Sequence, residues 1–337
     1  MKPERRILRK NLNRGMIGLL LLIVTLVIYT IWDNNRITVA KQDIIIDHLP
    51  KEFQGYKILQ VTDLHEKEFG KDEKRLIQAI NSIHYDAIVF TGDMLVNRQS
   101  KNYKPFYKLL EGIKNKENAF YVPGNEDPDV YHINSKGVLD KNEFVKGIEK
   151  RGVKLLESIY SIKRGKANIH FVDFEMSILE PSQQIQQING IVTPNYAKSK
   201  QYVDYRNQLL KKMSILDHLT NSDVLIALNH FPVVDARIDN IMNNPNLKFR
   251  NYDLIIAGHY HGGQIRIPFL GALFVPEAWN DSTGFFPPQN RVKGLWEYKQ
   301  TKQYVSTGLG SSAAIPFLKF RLFNPPEINV LTLKREK

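Results

Sequence analysis

Hydrophobic positions are distributed in two different ways along the chain. Met16 to Trp32 form an apolar run without a charged side chain, and a helix of that length rises roughly 25 Å against a hydrocarbon core of about 30 Å. Tyr29 and Trp32 fall at its end, where amphipathic aromatics favour a membrane interface. Beyond Ile37 the pattern changes to short β-type runs separated by helical spacing. Strands are predicted over Asp43–Asp47, Lys57–Thr62, Ala87–Thr91, Ala119–Val122, Ile169–Phe174, Asp223–Asn229, Asp253–Ala257, Gln264–Ile267, Gln303–Ser306 and Ile328–Leu333. Helices are predicted over Glu73–Ile83, Tyr103–Ile113, Asn142–Lys150 and Tyr202–Leu219. Residues 270–300, rich in Pro, Gly, Phe and Trp, read as an irregular loop region. Such alternation implies an α/β layered domain. The chain then divides into a basic tail (1–15), an apolar anchor (16–32) and one folded domain (33–337).

Charge refines this picture. The net charge is +12, from 47 Lys and Arg against 35 Asp and Glu, and residues 1–15 alone contribute +5. The excess therefore reports topology more than a polyanionic partner, and no nucleic acid is expected. By the positive-inside rule the tail stays in the cytoplasm and residues 33–337 lie outside the membrane, making a single-pass cell-membrane protein. Arg5-Arg6-Ile7-Leu8-Arg9-Lys10 partly resembles a twin-arginine export signal, but no small-residue cleavage site closes the apolar run. The anchor reads as uncleaved. The chain has no Cys, which excludes thiolate zinc sites, iron–sulfur clusters and cysteine nucleophiles.

Candidate chemistry collects where predicted strands end. Five strands run into Asp63-Leu64-His65, Gly92-Asp93, Pro123-Gly124-Asn125-Glu126, His230 and Gly258-His259-Tyr260-His261. In open α/β sheets the carboxyl ends of strands form the ligand crevice. In extended backbone residues i and i+2 point to the same side, so the pairs Asp63 with His65 and His259 with His261 can each address one site. Glycine directly before Asp93, Asn125 and His259 permits a sharp turn or close approach. Two carboxylates, four imidazoles and an amide exceed the needs of one ion. They suit two neighbouring divalent ions such as Mn, Fe or Zn, bridged by a carboxylate and a hydroxide.

These five blocks, D-x-H, G-D, G-N-[HE], a lone H and G-H-x-H, occur in the order of the calcineurin-like metallophosphoesterases. The sequence resembles that family, and within it the membrane-associated bacterial branch, with Gln264-Ile-Arg-Ile-Pro268 after the last block and Pro326-Glu-Ile328 near the C-terminus. The resemblance implies a four-layer sandwich of two mixed β-sheets flanked by helices. It also implies a first ion on Asp63, His65 and His261, a second on Asn125, His230 and His259, and Asp93 bridging both. A metal-bridging hydroxide would then attack a phosphate ester, with Asp93 and His230 as catalytic residues beside Glu126.

One block departs from the family pattern. Where many members have G-N-H and a partner Asp, this chain has Glu126 and Val96. Either Glu126, Asp127 or water protonates the leaving group, or the leaving group is acidic enough to need no acid, as in a pyrophosphate. Glu126 could instead orient a metal ligand. The expected activity is hydrolysis of a phosphodiester, pyrophosphate or phosphomonoester, with lipid-linked and cell-envelope substrates among the candidates. The alternative is an impaired scaffold that binds anionic lipid or wall polymer.

Other residues carry plainer expectations. His48, His84, His132, His170 and His218 read as surface or satisfied core residues. Arg266 and Tyr260 read as structural, and the Lys101, Lys104, Lys108 group and Lys211–Lys212 as solvated helix faces. Phe269, Phe274, Trp279, Phe285 and Phe286 are expected either to fold onto the core or to form an apolar lip toward the bilayer.

Overall fold

The computed structural model describes residues 3–180, 194–276, 284–312 and 319–336. Its strands are β1 (Thr38–Ile45), β2 (Lys57–Val61), β3 (Ala87–Thr91), β4 (Ala119–Val122), β5 (Lys154–Leu155), β6 (Ile159–Arg164), β7 (Ala167–Asp173), β8 (Asp223–Leu228), β9 (Leu254–Ala257), β10 (Gly294–Tyr298), β11 (Thr301–Val305) and β12 (Glu327–Lys334). Two short hairpins, Tyr131–Ile133 with Leu139–Lys141 and Arg266–Ile267 with Gly271–Ala272, lie outside the main sheets. The longer helices are α1 (Pro3–Asn35), α2 (Lys74–Asn81), α3 (Lys104–Gly112), α4 (Glu143–Lys150), α5 (Lys200–Lys212) and α6 (Asp235–Asn243).

The strands form two six-stranded mixed sheets, ordered β1-β12-β2-β3-β4-β5 and β10-β11-β9-β8-β7-β6. In the first, β2, β3, β4 and β5 run parallel, and β12 pairs antiparallel to β2. In the second, β7, β8, β9 and β11 run parallel between antiparallel edges. Alternate residues of each strand fill different layers. Ile58, Val89, Phe120 and Leu331 face Phe171, Val224, Ile226 and Ile256 between the sheets. Leu59, Ile88, Phe90 and Tyr121 pack outward against Leu76, Phe106, Leu109 and Phe144 of α2, α3 and α4. Val172, Leu225 and Ile255 pack outward against Leu210, Ile238 and Ile241 of α5 and α6. The result is the expected four-layer sandwich, preceded by an apolar helix.

Several boundaries differ from the sequence expectation. β1 begins at Thr38 because an eight-residue parallel register with β12 holds it, beyond the reach of a local apolar pattern. The helix expected from Glu73 starts at Lys74, after a kink with Asp72 and Glu73 at positive φ. The helix expected to reach Leu219 ends at Lys212 and tightens into a 3₁₀ turn. Gln264 is not in a strand, since its φ of +45° turns the chain into the Arg266–Ala272 hairpin. The region read as loop contains β10, which is held by β11 and buries Trp296. β6 and α6 were not anticipated. Trp279 lies outside the described residues.

α1 extends past the apolar run at both ends, and residues Asn11–Asn35 are long and apolar enough to cross a membrane. Its last turn meets the domain. Asn34 Nδ2 donates to Arg321 O, Asn34 Oδ1 accepts from Arg321 N, and Lys67 Nζ donates to Asn34 O.

Candidate metal centre and family

The C-terminal ends of β2, β3, β4, β8 and β9 meet at one edge of the sandwich, and the seven candidate ligands converge there. His65 Nε2 lies 3.3 Å from His261 Nε2, which is 3.6 Å from Asp63 Oδ1. His230 Nε2 lies 3.1 Å from both Asn125 Oδ1 and His259 Nδ1. Asp93 Oδ2 joins the two groups, 3.2 Å from His230 Nε2 and 3.6 Å from His65 Nε2. Metal–ligand bonds of about 2.1 Å place adjacent donors roughly 3.0 to 3.4 Å apart, close to these separations. Facing lone pairs of imidazole and carboxylate repel unless a cation or proton lies between them. The donor set therefore fits two divalent cations, and its mix of imidazole, carboxylate and amide suits borderline metals.

The backbone is bent to aim these groups. Asp63, His65, Asp93, His259 and His261 all have φ between +46° and +69°, a region that side-chain-bearing residues occupy at a steric cost and that clusters at functional sites. Tertiary hydrogen bonds hold this strain: His65 N donates to Asp93 O, and His259 N to Asp63 Oδ1 at 3.1 Å. Gly92 is required twice over. Its φ is +85°, and a methyl there would sit 2.5 Å from Gly124 N and 2.7 Å from His230 Nδ1.

Electrostatics divides the candidate ligands. Burial opposes ionisation of Asp93, yet His230, His65 and His259 outweigh it and hold the carboxyl well below the usual range. Burial also opposes charge on His230, but Asp93, Asp63 and the Thr91 carbonyl raise its pKa to about 10. Burial, with His230 adding to it, lowers His259 to about 3, and burial lowers His65 and His261 as well. Those three imidazoles are neutral near pH 7, the form that ligates. Burial raises Asp63 to about 7. His230 Nδ1 donates to Thr91 O at 2.8 Å, which directs Nε2 toward the other donors.

Glu126 and Asp127 play different parts. Glu126 Oε1 accepts from Asn125 Nδ2 at 3.0 Å, so the carboxylate turns the amide oxygen of Asn125 toward His230. Its backbone N–H donates to Asp93 Oδ1 at 2.8 Å. Burial, then the charge of Asp93, raises its pKa. Asp127 faces the interior. It is buried and accepts from the amides of Met94, Leu95 and Gly124 and from Tyr121 Oη, fastening the loop behind Asp93.

Sequence reasoning missed the support on the opposite side. Arg321 is fully buried, and its guanidinium donates to the carbonyls of Gly310, Thr307, Asn324 and the candidate ligand His261. Asn324 Nδ2 donates to His261 O at 2.7 Å. Gln60 Nε2 ties the sheets together by donating to Thr91 Oγ1 and Ala257 O. No local motif marks any of these residues. The plainer expectations hold for Arg266, which donates to Gly262 O, for Tyr260, which is buried, and for His170, which faces Ser161 and Asp223. His48, His84, His132 and His218 are exposed, as are Lys101, Lys104, Lys211 and Lys212, while Lys108 is half-buried and paired with Glu111.

Carboxylates and imidazoles gathered at strand ends between two mixed sheets define a metal-dependent phosphoric ester hydrolase. The chain belongs to the calcineurin-like phosphoesterase family, whose model matches residues 56–263. It is similar to YkuE of Bacillus subtilis, an uncharacterized metallophosphoesterase, with 26% identity over 293 residues covering 85% of this chain and 82% of that protein. It is equally similar to the UDP-2,3-diacylglucosamine pyrophosphatase LpxG of Chlamydia muridarum, 26% identical over 297 residues covering 84% and 86% of the two chains. The uncharacterized metallophosphoesterase Cj0846 of Campylobacter jejuni is 27% identical over 310 residues, 89% of this chain and 64% of its own length.

Proposed function

We propose that this protein is a membrane-anchored phosphoesterase working with two divalent cations (Mn, Fe or Zn) on a phosphate ester at the outer face of the cytoplasmic membrane, a lipid-linked pyrophosphate first among the candidates. Residues 1–15 form the cytoplasmic tail, residues 16–32 of α1 the anchor, and residues 33–337 the phosphoesterase domain. The observation that carries the reading is the position of Asp93 Oδ2 between His65 and His230. One cation would rest on Asp63, His65 and His261, the other on Asn125, His230 and His259, with Asp93 common to both. When bound, such a pair supplies a water that ionises near neutral pH and neutralises charge on the transferring phosphoryl group.

The chain's own residues favour a good leaving group. The side chain that could act as an acid, Glu126, is engaged with Asn125, and Val96 offers no proton. A phosphate leaving from a pyrophosphate needs no acid. The likeness to a UDP-2,3-diacylglucosamine pyrophosphatase points to the same bond and to a lipid substrate. A cavity of about 440 Å³ lined by Thr30, Ile31, His65, Lys67, Lys319 and Phe320 connects the end of the anchor to the ligand His65. Its two lysines favour an anionic headgroup.

The test is divalent-metal-dependent hydrolysis by the full chain of an aryl phosphodiester and of a lipid-linked pyrophosphate, with metal content measured alongside. Asp93→Asn is expected to lose metal and more than about a hundredfold of activity. A protein that binds both cations yet turns over neither compound would favour the binding scaffold for anionic lipid or wall polymer. A C-terminal reporter active only in the cytoplasm would overturn the orientation.

A further inference from the structure

A hairpin beside the candidate ligands carries an apolar tip that no described residue covers. From His261 the chain turns through Gln264 into Arg266–Ile267, paired with Gly271–Ala272. Between them Phe269 is fully exposed, and Leu270, Phe285 and Phe286 are each more than half exposed. Phe285 is joined to the hairpin by a bridge and ring contact to Phe274, and Phe286 N donates to Leu273 O. Phe269 and Phe286 have φ of +68° and +50°, conformations that bulky residues adopt against steric resistance. Strained backbone that turns aromatic rings outward, in one contiguous patch, marks an interaction surface.

The support of this patch identifies its partner. Ile265 bridges Leu322, and Arg266 N donates to Leu322 O at 3.0 Å. The neighbouring Phe323 packs on Tyr29 of α1 with ring centroids 5.1 Å apart, and Arg321 exchanges hydrogen bonds with Asn34. One segment, 321–323, therefore holds both the end of the apolar helix and the base of the hairpin. Tyr29 lies 5.9 Å from Trp32, and the Arg36 guanidinium lies over the Trp32 ring, an aromatic and cationic pairing suited to the headgroup level. This continuity with the anchor selects a lipid leaflet over a protein surface.

We propose that the Ile267–Leu270 turn, with Phe285 and Phe286, dips into the leaflet that receives the C-terminal end of α1 and forms a second membrane contact next to the site. The inference rests on reading α1 as a membrane anchor. It gives the domain a fixed tilt on the bilayer, with the hairpin side of the site toward the lipid. An apolar cavity of about 130 Å³ between His261 and the Phe274–Phe285 pair extends from the site toward this lip.

The absence of cysteine makes the test direct. Full-length Phe269→Cys, Phe286→Cys, Val138→Cys and Leu22→Cys, each labelled with an environment-sensitive fluorophore, are reconstituted into phosphatidylcholine–phosphatidylglycerol vesicles containing doxyl-labelled lipid. Labels at 269 and 286 are expected to shift to the blue and lose emission to the doxyl group, while the label at 138 does neither. Water-like, unquenched labels at 269 and 286 beside a quenched label at 22 would overturn the lip and keep the anchor. Unquenched labels at all three positions would overturn both, and quenching at 269 and 286 with none at 22 would remove the anchor and with it the inference that rests on it. A blue shift at 269 without doxyl quenching would assign the patch to a protein partner and overturn the proposal.

Discussion

Asn34 and Arg321 exchange two hydrogen bonds across 287 positions of sequence: Asn34 Nδ2 donates to Arg321 O at 2.6 Å, and Arg321 N donates to Asn34 Oδ1 at 2.8 Å. The same arginine carries its guanidinium into the site and caps the carbonyl of His261. The last turn of the apolar helix and a candidate metal ligand thus share one residue.

Replacing that residue tests the arrangement. Arg321→Met leaves the buried carbonyls of Gly310, Thr307 and Asn324 without their donor, so denaturant unfolding should show a loss of about 3 kcal/mol or more. Metal affinity should fall with it. Asn34→Ala removes the helix contact while keeping the guanidinium, and should cost only about 1 kcal/mol. Equal losses for the two variants would contradict the division of roles.

Glu126→Gln separates orientation from acid catalysis. Because glutamine keeps an oxygen that accepts from Asn125 Nδ2, kcat/KM should fall no more than about threefold, and equally, on an activated aryl ester and on an unactivated alkyl ester. A loss confined to the alkyl ester would make Glu126 the acid.

Gly258 tests close approach without a positive-φ requirement. A methyl there would sit 2.5 Å from Asp63 Oδ2 and 3.1 Å from Thr62 Cγ2. Gly258→Ala should fold with a melting temperature lowered by an overpacking cost of about 1–3 kcal/mol. Elemental analysis should show reduced metal content.

Asp173 predicts a pH dependence of stability away from the candidate ligands. Burial raises its pKa from 3.8 to about 7, against the hydrogen bond from Met176 N. Between those values the folded state binds more protons than the unfolded one, so stability from this group is present at low pH and is lost as pH rises through about 7. Asp173→Asn keeps the cap on Met176 N and removes the titration. Its melting temperature, relative to the parent, should therefore rise from mildly acidic to mildly alkaline solution.

The chain by itself determined what depends on neighbours in sequence. Asp63 with His65, and His259 with His261, are legible as ligand-type residues clustered at strand ends, whereas their left-handed backbone and the division of His259 from His261 between two groups come from the fold. The glycines before Asp93 and His259 are legible because crowding there is immediate. The apolar run of α1 needs only composition. The tertiary structure decided the rest. β1 runs beyond its local apolar pattern because its length is set by β12, nearly three hundred residues away, and β10, inside a Pro- and Gly-rich stretch, is a strand only because β11 pairs with it. Arg321, Asn324 and Gln60 look like ordinary polar residues until folding brings buried carbonyls and hydroxyls from distant loops to their donors. A buried polar group finds its partners through three-dimensional proximity, and no local pattern records that proximity.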